Sequence, residues 1–207
     1  MKPLSLSDFS VSRETEDKLR AYHVMLVKWQ KTINLISPKT VSESWERHFI
    51  DSGQILPFIG SDVKTIYDLG SGAGFPGLVL AICFPDKKVT LIESDGKKCA
   101  FLGAVSRETG ASPAIQNMRI EMATSTLPPP DMVSARALAS LLELLQYIRP
   151  WIEKKPDLQA IFPKGAAFAE EIEAARSAGW DFDCVETPSV TDPNARILRL
   201  SRIKLGA

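Results

Sequence analysis

The run Asp68-Leu69-Gly70-Ser71-Gly72-Ala73-Gly74-Phe75-Pro76-Gly77 constrains this chain more than any other feature. Thr65-Ile66-Tyr67 before it reads as the end of a buried strand, and Leu78-Val79-Leu80-Ala81-Ile82 after it as the apolar face of a helix. Strand, glycine-rich turn and helix, in that order, form the layout of a nucleotide site. Glycine lets the backbone approach a ligand where a Cβ would clash, and the helix N-terminus adds unpaired N–H groups aimed at that ligand. The next apolar run, Val89-Thr90-Leu91-Ile92, ends at Glu93, a carboxylate placed to hold the two hydroxyls of a ribose.

Spacing alone leaves two cofactors open. Gly72 to Gly77 satisfies the G-x-G-x-x-G pattern of dinucleotide folds, with an acid at about the right distance. Asp68 to Gly74 equally fits the D-x-G-x-G-x-G opening of S-adenosylmethionine (AdoMet) methyltransferases. Both plans put a glycine-rich turn after the first strand and an acid after the second.

The 207 residues suit one domain with an extension, and a chain of this length buries about 70% of its unfolded surface without staples. Lys and Arg together number 25, as do Asp and Glu, so no global cationic field exists and a nucleic-acid partner must be held by a local patch. Cys83, Cys99 and Cys184 are widely spaced, with no C-x-x-C pair, which argues against disulfide frameworks and metal sites. Met1 to Ser12 has no apolar core of a signal peptide, and no apolar stretch reaches about 18 residues. A cytoplasmic protein is expected.

Leu19, Tyr22, Leu26, Trp29 and Ile33 recur at helical steps, which predicts an amphipathic helix over 13–33. A second helix is predicted over about 40–56 from Val41, Trp45, His48 and Phe49. Residues 1–60 thus form a helical cap, and 61–207 one compact α/β unit. Strands are predicted at 64–69, 88–93, 113–117, 131–135 and 158–162, with helices at 76–83, 96–109, 138–149 and 166–178. Two β-rich runs, 180–186 and 195–203, close the chain as a hairpin. Repeated βα units give a mostly parallel sheet with helices on both faces and an antiparallel C-terminal strand.

Several stretches together resemble the bacterial small-subunit ribosomal RNA guanine-N7 methyltransferases, historically called glucose-inhibited division protein B. Trp29 to Leu35 resembles the family's W-x-K-x-x-N-L, Arg47-His48-Phe49-Ile50-Asp51-Ser52 its R-H-x-x-D-S, and Asp68 to Gly77 its D-x-G-S-G-A-G-F-P-G. Glu93-Ser94 with Lys97-Lys98 and Phe101-Leu102, then Arg119-Ile120-Glu121, Ala135-Arg136-Ala137, Lys164-Gly165 and Arg196, are similar to later features. Glu93 stands where the family usually has Asp, and Ile36 where it usually has Thr. The resemblance implies a Rossmann-like AdoMet methyltransferase fold, AdoMet rather than NAD, and as target a guanine in the 530 loop of 16S rRNA, position 527, within the small ribosomal subunit or a precursor. A monomer is expected.

On that resemblance Gly70, Gly72 and Gly74 form the turn beside the amino-acid end of AdoMet. Asp68 orients the turn or accepts from the cofactor ammonium, and Phe75 shapes the adjoining wall or simply starts the helix. Glu93 holds the ribose with Ser94 alongside, and Ile120 and Glu121 lie over the adenine. Arg136, at the end of a parallel strand where ligand crevices form, could pair with an RNA phosphate but is placed in the cofactor pocket. Arg47 and His48 face the pocket mouth, His48 being alternatively a satisfied core residue. Lys164 and Arg196 are placed for RNA phosphate. No general base is expected, because guanine N7 carries a lone pair and no proton. An oxidoreductase would need a proton-transfer residue, and His23 and His48, the only histidines, both lie in the cap. A non-catalytic RNA-binding factor that has kept the AdoMet fold stays open.

Overall fold

A computed structural model describes residues 6–206; the first five residues of the expected cap lie outside the described residues. Seven strands form one sheet: β1 (Thr65–Leu69), β2 (Lys88–Glu93), β3 (Ala114–Asn117), β4 (Met132–Ala135), β5 (Gln159–Lys164), β6 (Trp180–Pro188) and β7 (Arg196–Leu205). Their order is β3-β2-β1-β4-β5-β7-β6. The first five strands are parallel. β7 inserts antiparallel between β5 and β6, so the closing hairpin forms as its two β-rich runs suggest. The order reverses between β1 and β4, which opens a crevice at the carboxyl ends of the strands.

The helices are α1 (Arg13–Gln30), α2 (Asp51–Gly53), α3 (Gly77–Cys83), α4 (Gly96–Thr109), α5 (Ile120–Thr126), α6 (Leu141–Lys154) and α7 (Phe168–Ser177). Alternation along the strands sends side chains into two cores. Ile66, Val89, Leu91 and Met132 join one with α1, α3 and α4; Tyr67, Leu69, Ile92 and Val133 join the other with α5, α6 and α7. Among the described residues, no helix is long and apolar enough to cross a membrane.

Four local expectations are corrected. α1 ends at Gln30 rather than 33, and Gln30 closes the turn beyond it by accepting from the Leu35 and Ile36 amides at 2.9 and 3.0 Å. The helix expected over 40–56 is broken. A 3₁₀ turn at Pro38–Thr40 is followed by one turn of π-helix, Trp45–Ile50, that runs into α2. The wider turn buries Phe49 and Ile50 and keeps Arg47, His48 and Asp51 on the cavity; such π turns recur at functional sites. α5 was not expected: its buried residues Ile120, Ala123 and Thr124 share one helical face, but Ile120 alone among them is a large apolar residue and Met122 is exposed, so the sequence shows no apolar stripe there. α6 starts at Leu141, because Ser140 and Glu143 make a reciprocal capping box, and it runs through Pro150. A proline inside a helix costs about 3 kcal/mol. Burial of Trp151 and Ile152 beyond it returns about 1.5–3 kcal/mol each, and Gln146, whose carbonyl loses its donor, is exposed to water.

α1 and the π turn are part of the first core rather than an appendage. Tyr22 stacks on Phe75 with centroids 5.3 Å apart, and Phe49 meets both edge-on at 4.8 and 5.0 Å. The Tyr22 hydroxyl donates to the Ala73 carbonyl inside the glycine turn.

Candidate active site

A cavity of about 830 Å³ opens at the carboxyl ends of the strands. Its lining includes Gly70, Gly72, Phe75, Glu93, Ser94, Ile120, Glu121, Arg136, Arg47, His48, Lys164 and Arg196. Residues from Arg47 to Arg196 are brought together because the cap and the β6–β7 loop both reach this end of the sheet. Asp68 does not line it.

Asp68 lies fully buried beneath the turn. Its Oδ1 accepts from Ser134 Oγ at 2.8 Å, across the β1–β4 register, while Oδ2 has no well-formed hydrogen bond. Burial pushes its pKa up to about 6, against Ser134, the nearby Gly77 amide and Arg136, which all pull it down. The turn above is shaped by glycines in left-handed conformations, φ +59° at Gly70, +56° at Gly72 and +96° at Gly74. Their duties differ. A Cβ on Gly74 would lie 2.6 Å from Tyr22 Oη, so this glycine admits the cap. A Cβ on Gly72 would have only the Gly70 carbonyl, at 3.7 Å, within 4 Å, and a larger side chain would enter the cavity.

Glu93, at the end of β2, is buried. One carboxylate oxygen accepts from the Gly72 amide and the other from the Asp95 amide, both at 2.8 Å. The acid therefore holds the turn and keeps lone pairs for hydroxyl donors. Its backbone carbonyl receives Asn117 Nδ2 at 3.0 Å, which ties β3 to the same corner. Ile120 and Glu121 stand in the first turn of α5, with Arg119 at the N-cap position but making no capping hydrogen bond from its side chain. This half of the cavity fits AdoMet: an open space at Gly72, a carboxylate one strand away, and an apolar edge at Ile92, Met118 and Ile120.

Arg136, directly after β4, ties the cap to the sheet. Its Nη1 donates to Asp51 Oδ2 at 2.9 Å and to the Arg47 carbonyl at 3.2 Å; its Nη2 donates to His48 Nδ1 at 2.8 Å. The guanidinium also lies 5.1 Å from the Phe75 ring centroid. His48 stacks on the same ring. Since Nδ1 accepts, the neutral ring carries its proton on Nε2, which faces Thr40 Oγ1 at 3.2 Å. Burial, then Arg136 and Arg47, lower its pKa to about 3. His48 is thus both a packed, satisfied histidine and part of the cavity wall.

Lys164 is only 8% exposed and pairs with Glu171 at 2.7 Å while donating to the Ala139 carbonyl at 2.6 Å. Arg196 donates to the carbonyls of Pro193 and Ala195 and sits over Phe168. Arg47 is exposed at the mouth. Lys98 and Arg119 line the cavity as well and were not singled out for it from sequence. Asp51 and Gln54 were also missed. Asp51 was within reach, because Arg47, His48 and Asp51 are spaced to share a helical face. Gln54 and the loop it meets, 135 residues away, leave no local signal. The cysteines are partly buried and free; burial raises the pKa of Cys83 to about 12, as in an inert core thiol.

Among solved structures, a ribosomal protein L11 methylase from Lactobacillus delbrueckii subsp. bulgaricus matches with a TM-score of 0.56 at 14% identity, covering 78% of this chain and 79% of that one. At that identity the likeness concerns the fold. Ribosomal RNA small subunit methyltransferase G of Rhodospirillum centenum is 48% identical over 195 residues, 94% of this chain and 88% of that protein. The protein of the same name from Rhizobium rhizogenes is 41% identical over 202 residues, 96% and 98% respectively. The family described as rRNA small subunit methyltransferase G matches residues 15–195, and this chain belongs to that family.

Proposed function

We propose that this protein transfers the methyl group of AdoMet to N7 of guanine 527, in the 530 loop of 16S rRNA, acting as a monomer on the small ribosomal subunit or a precursor in the cytoplasm. The observation that carries the reading is the meeting, in one cavity, of the Gly72 turn and Glu93 with the cap residues Arg47 and His48 and the late residues Lys164 and Arg196.

Bound AdoMet supplies an electrophilic methyl. Gly70 and Gly72 give its amino-acid end room against the backbone, Glu93 with Ser94 accepts from the ribose hydroxyls, and Ile120 and Glu121 flank the adenine. Asp68 supports the turn from below, its carbonyl accepting from Ser71 Oγ at 3.0 Å and its carboxylate anchored on Ser134, rather than touching the cofactor. The lone pair of guanine N7 would form the new N–C bond in line as the S–C bond breaks and S-adenosylhomocysteine leaves with the electron pair, so the protein holds two partners in contact and excludes water, and no side chain needs to remove a proton. His48, neutral and hydrogen-bonded on both ring nitrogens, serves as wall and not as base. Of the cap expected over residues 1–60, the described part from residue 6 onward completes the crevice over the α/β unit that follows. Arg47, Lys164 and Arg196 are the candidate phosphate contacts. Lys164 would exchange part of its Glu171 pair for RNA.

The test is methylation of small subunits purified from cells lacking this modification, with methyl-labelled AdoMet and mapping of the product base. Label at N7 of guanine 527, weakening as salt rises, is the expected result. Label at another base atom, efficient labelling of arbitrary short RNA, or calorimetric preference for NAD over AdoMet would overturn it.

A further inference from the structure

We infer that Gln54 is a positioning residue that sets the RNA-facing wall of the cavity, an inference resting on the methyltransferase reading above. Gln54 is only 4% exposed and lies just past α2. Its Oε1 accepts from the Val190 amide at 2.9 Å, and its Nε2 donates to Asp51 Oδ1 at 2.7 Å and to Ser189 Oγ at 3.2 Å. Thr191 Oγ1 donates to the same Asp51 oxygen at 2.6 Å. The other Asp51 oxygen receives Arg136. One carboxylate thus joins the end of β4 to the β6–β7 loop, and Gln54 holds both it and the loop backbone.

The loop is otherwise closed on itself. Ser189 and Ala195 are joined by a backbone hydrogen bond of 3.1 Å, and Ser189 Oγ accepts from the Thr191 and Asp192 amides. It is a preformed turn whose placement over the sheet depends on the groups it meets in the cap. Ser189, Thr191, Asp192, Ala195 and Arg196 all line the cavity.

Strand order says which half of the cavity this loop serves. The glycine turn follows β1 and Glu93 ends β2; the loop joins β6 to β7, with β4 and β5 lying between β1 and β7. The loop therefore bounds the half remote from the ribose acid, where the cap and Arg196 stand. A misplaced wall there disturbs the fit of the RNA while leaving the cofactor half intact. A buried amide with three protein partners holds such a wall more rigidly than an exposed contact, because each lost bond strands a polar group away from water.

The experiment compares wild type with Gln54→Leu, Thr191→Val, the double variant and Thr191→Ser. For each it measures AdoMet affinity by calorimetry, KM and affinity for unmethylated small subunits, and the thermal midpoint. Gln54→Leu is expected to raise KM for subunits about five- to tenfold, with AdoMet affinity unchanged. Thr191→Val, on a partly exposed loop that the core does not need, is expected to act in the same direction. The double variant should fall short of the product of the two, since both act through one docking, and Thr191→Ser should behave as wild type. A lowered midpoint with unchanged KM and subunit affinity in both single variants overturns the proposal, as does a parallel loss of AdoMet affinity. A wild type that binds subunits without methylating guanine N7 defeats the proposed reaction instead, and the variants' subunit affinities then still decide the role of Gln54.

Discussion

Arg136 and Asp51, 85 residues apart in sequence, form an ion pair of 2.9 Å with side chains 14% and 17% exposed. The pair joins the end of a central strand to the cap, and the His48 ring shares the same guanidinium. Arg136→Ala strands Asp51 and takes the hydrogen bond from His48 Nδ1. It is expected to cost about 2 kcal/mol in urea denaturation and to lower methyl transfer by more than that loss of folded protein accounts for. Asp51→Asn should cost less, because an amide still pairs with Gln54 and Thr191. A folded Arg136→Ala protein with wild-type turnover would remove Arg136 from the site.

Two glycines of one turn are expected to fail differently. Gly72→Val places a branched side chain in the cavity at φ +56° and should abolish AdoMet binding in calorimetry while the protein still folds. Gly74→Ala drives a Cβ to 2.6 Å from Tyr22 Oη and 2.9 Å from Leu78 Cβ at φ +96°. It should lower the thermal midpoint first, by an amount equivalent to about 1–3 kcal/mol, with binding lost only as a consequence of loosening the cap.

Tyr22→Phe isolates the contact between cap and turn. The ring keeps its stacking on Phe75, but the Ala73 carbonyl loses its buried donor. A loss of about 1–2 kcal/mol in stability is expected, with a several-fold weaker AdoMet affinity. Unchanged affinity in calorimetry would show that the cap does not tune the turn.

Stability against pH has two opposing parts. Burial alone would raise the Asp131 pKa. Hydrogen bonds from Lys155, from the Lys64 and Thr65 amides and from the Thr65 hydroxyl outweigh it and hold the carboxyl well below the usual range. An unfolded Asp takes up its proton near pH 4, so the Asp131 contribution is present above that and is lost as pH falls further. His48 has the same sign. Its neutral folded form costs stability progressively as pH falls from about 6.5 toward about 3, because only the unfolded chain charges there. Asp68 opposes both. With a folded pKa of about 6, its contribution is fully favourable below the unfolded value and declines as pH rises from about 4 to 6. Denaturation from pH 3 to 8 should show Asp131→Asn flattening the acid limb. Asp68→Asn should remove the decline between 4 and 6. Methyl transfer itself should show no limb near pH 6.5 from His48, and one there would contradict its neutral, walled-in state.

The centre of the sheet was legible because β1, β2, β4 and β5 are short, largely apolar runs ended by turns and buried over most of their length, whereas the edge strand β3, exposed or half-buried throughout, carries a weaker pattern. The glycine turn was legible because a backbone at positive φ demands glycine at fixed spacing, and Glu93 because an acid ends the second apolar run and then holds that turn. The π turn was not, since Val41, Trp45, His48 and Phe49 satisfy an α pattern equally well. α5 buries a face that includes only small Ala123 and polar Thr124 beside Ile120, and Pro150 is overridden by the burial of Trp151. Lys164 reads as an available cation in sequence, and only the fold places Glu171 against it. The Gln54 bonds to Ser189 and Val190 span more than 130 residues, and no local rule reaches that far.

The position of β7 has a consequence for the order of events during synthesis. β6 pairs only with β7, and β7 must slot between β6 and β5. While the chain grows from its N-terminus, the cap and the first five strands can collect around their cores, but β6 has no neighbour until Arg196–Leu205 has been made. The loop that bounds the cavity, and its anchor at Gln54, are fixed only then. A nascent chain that stops before β7 therefore carries the glycine turn with only half of the pocket around it.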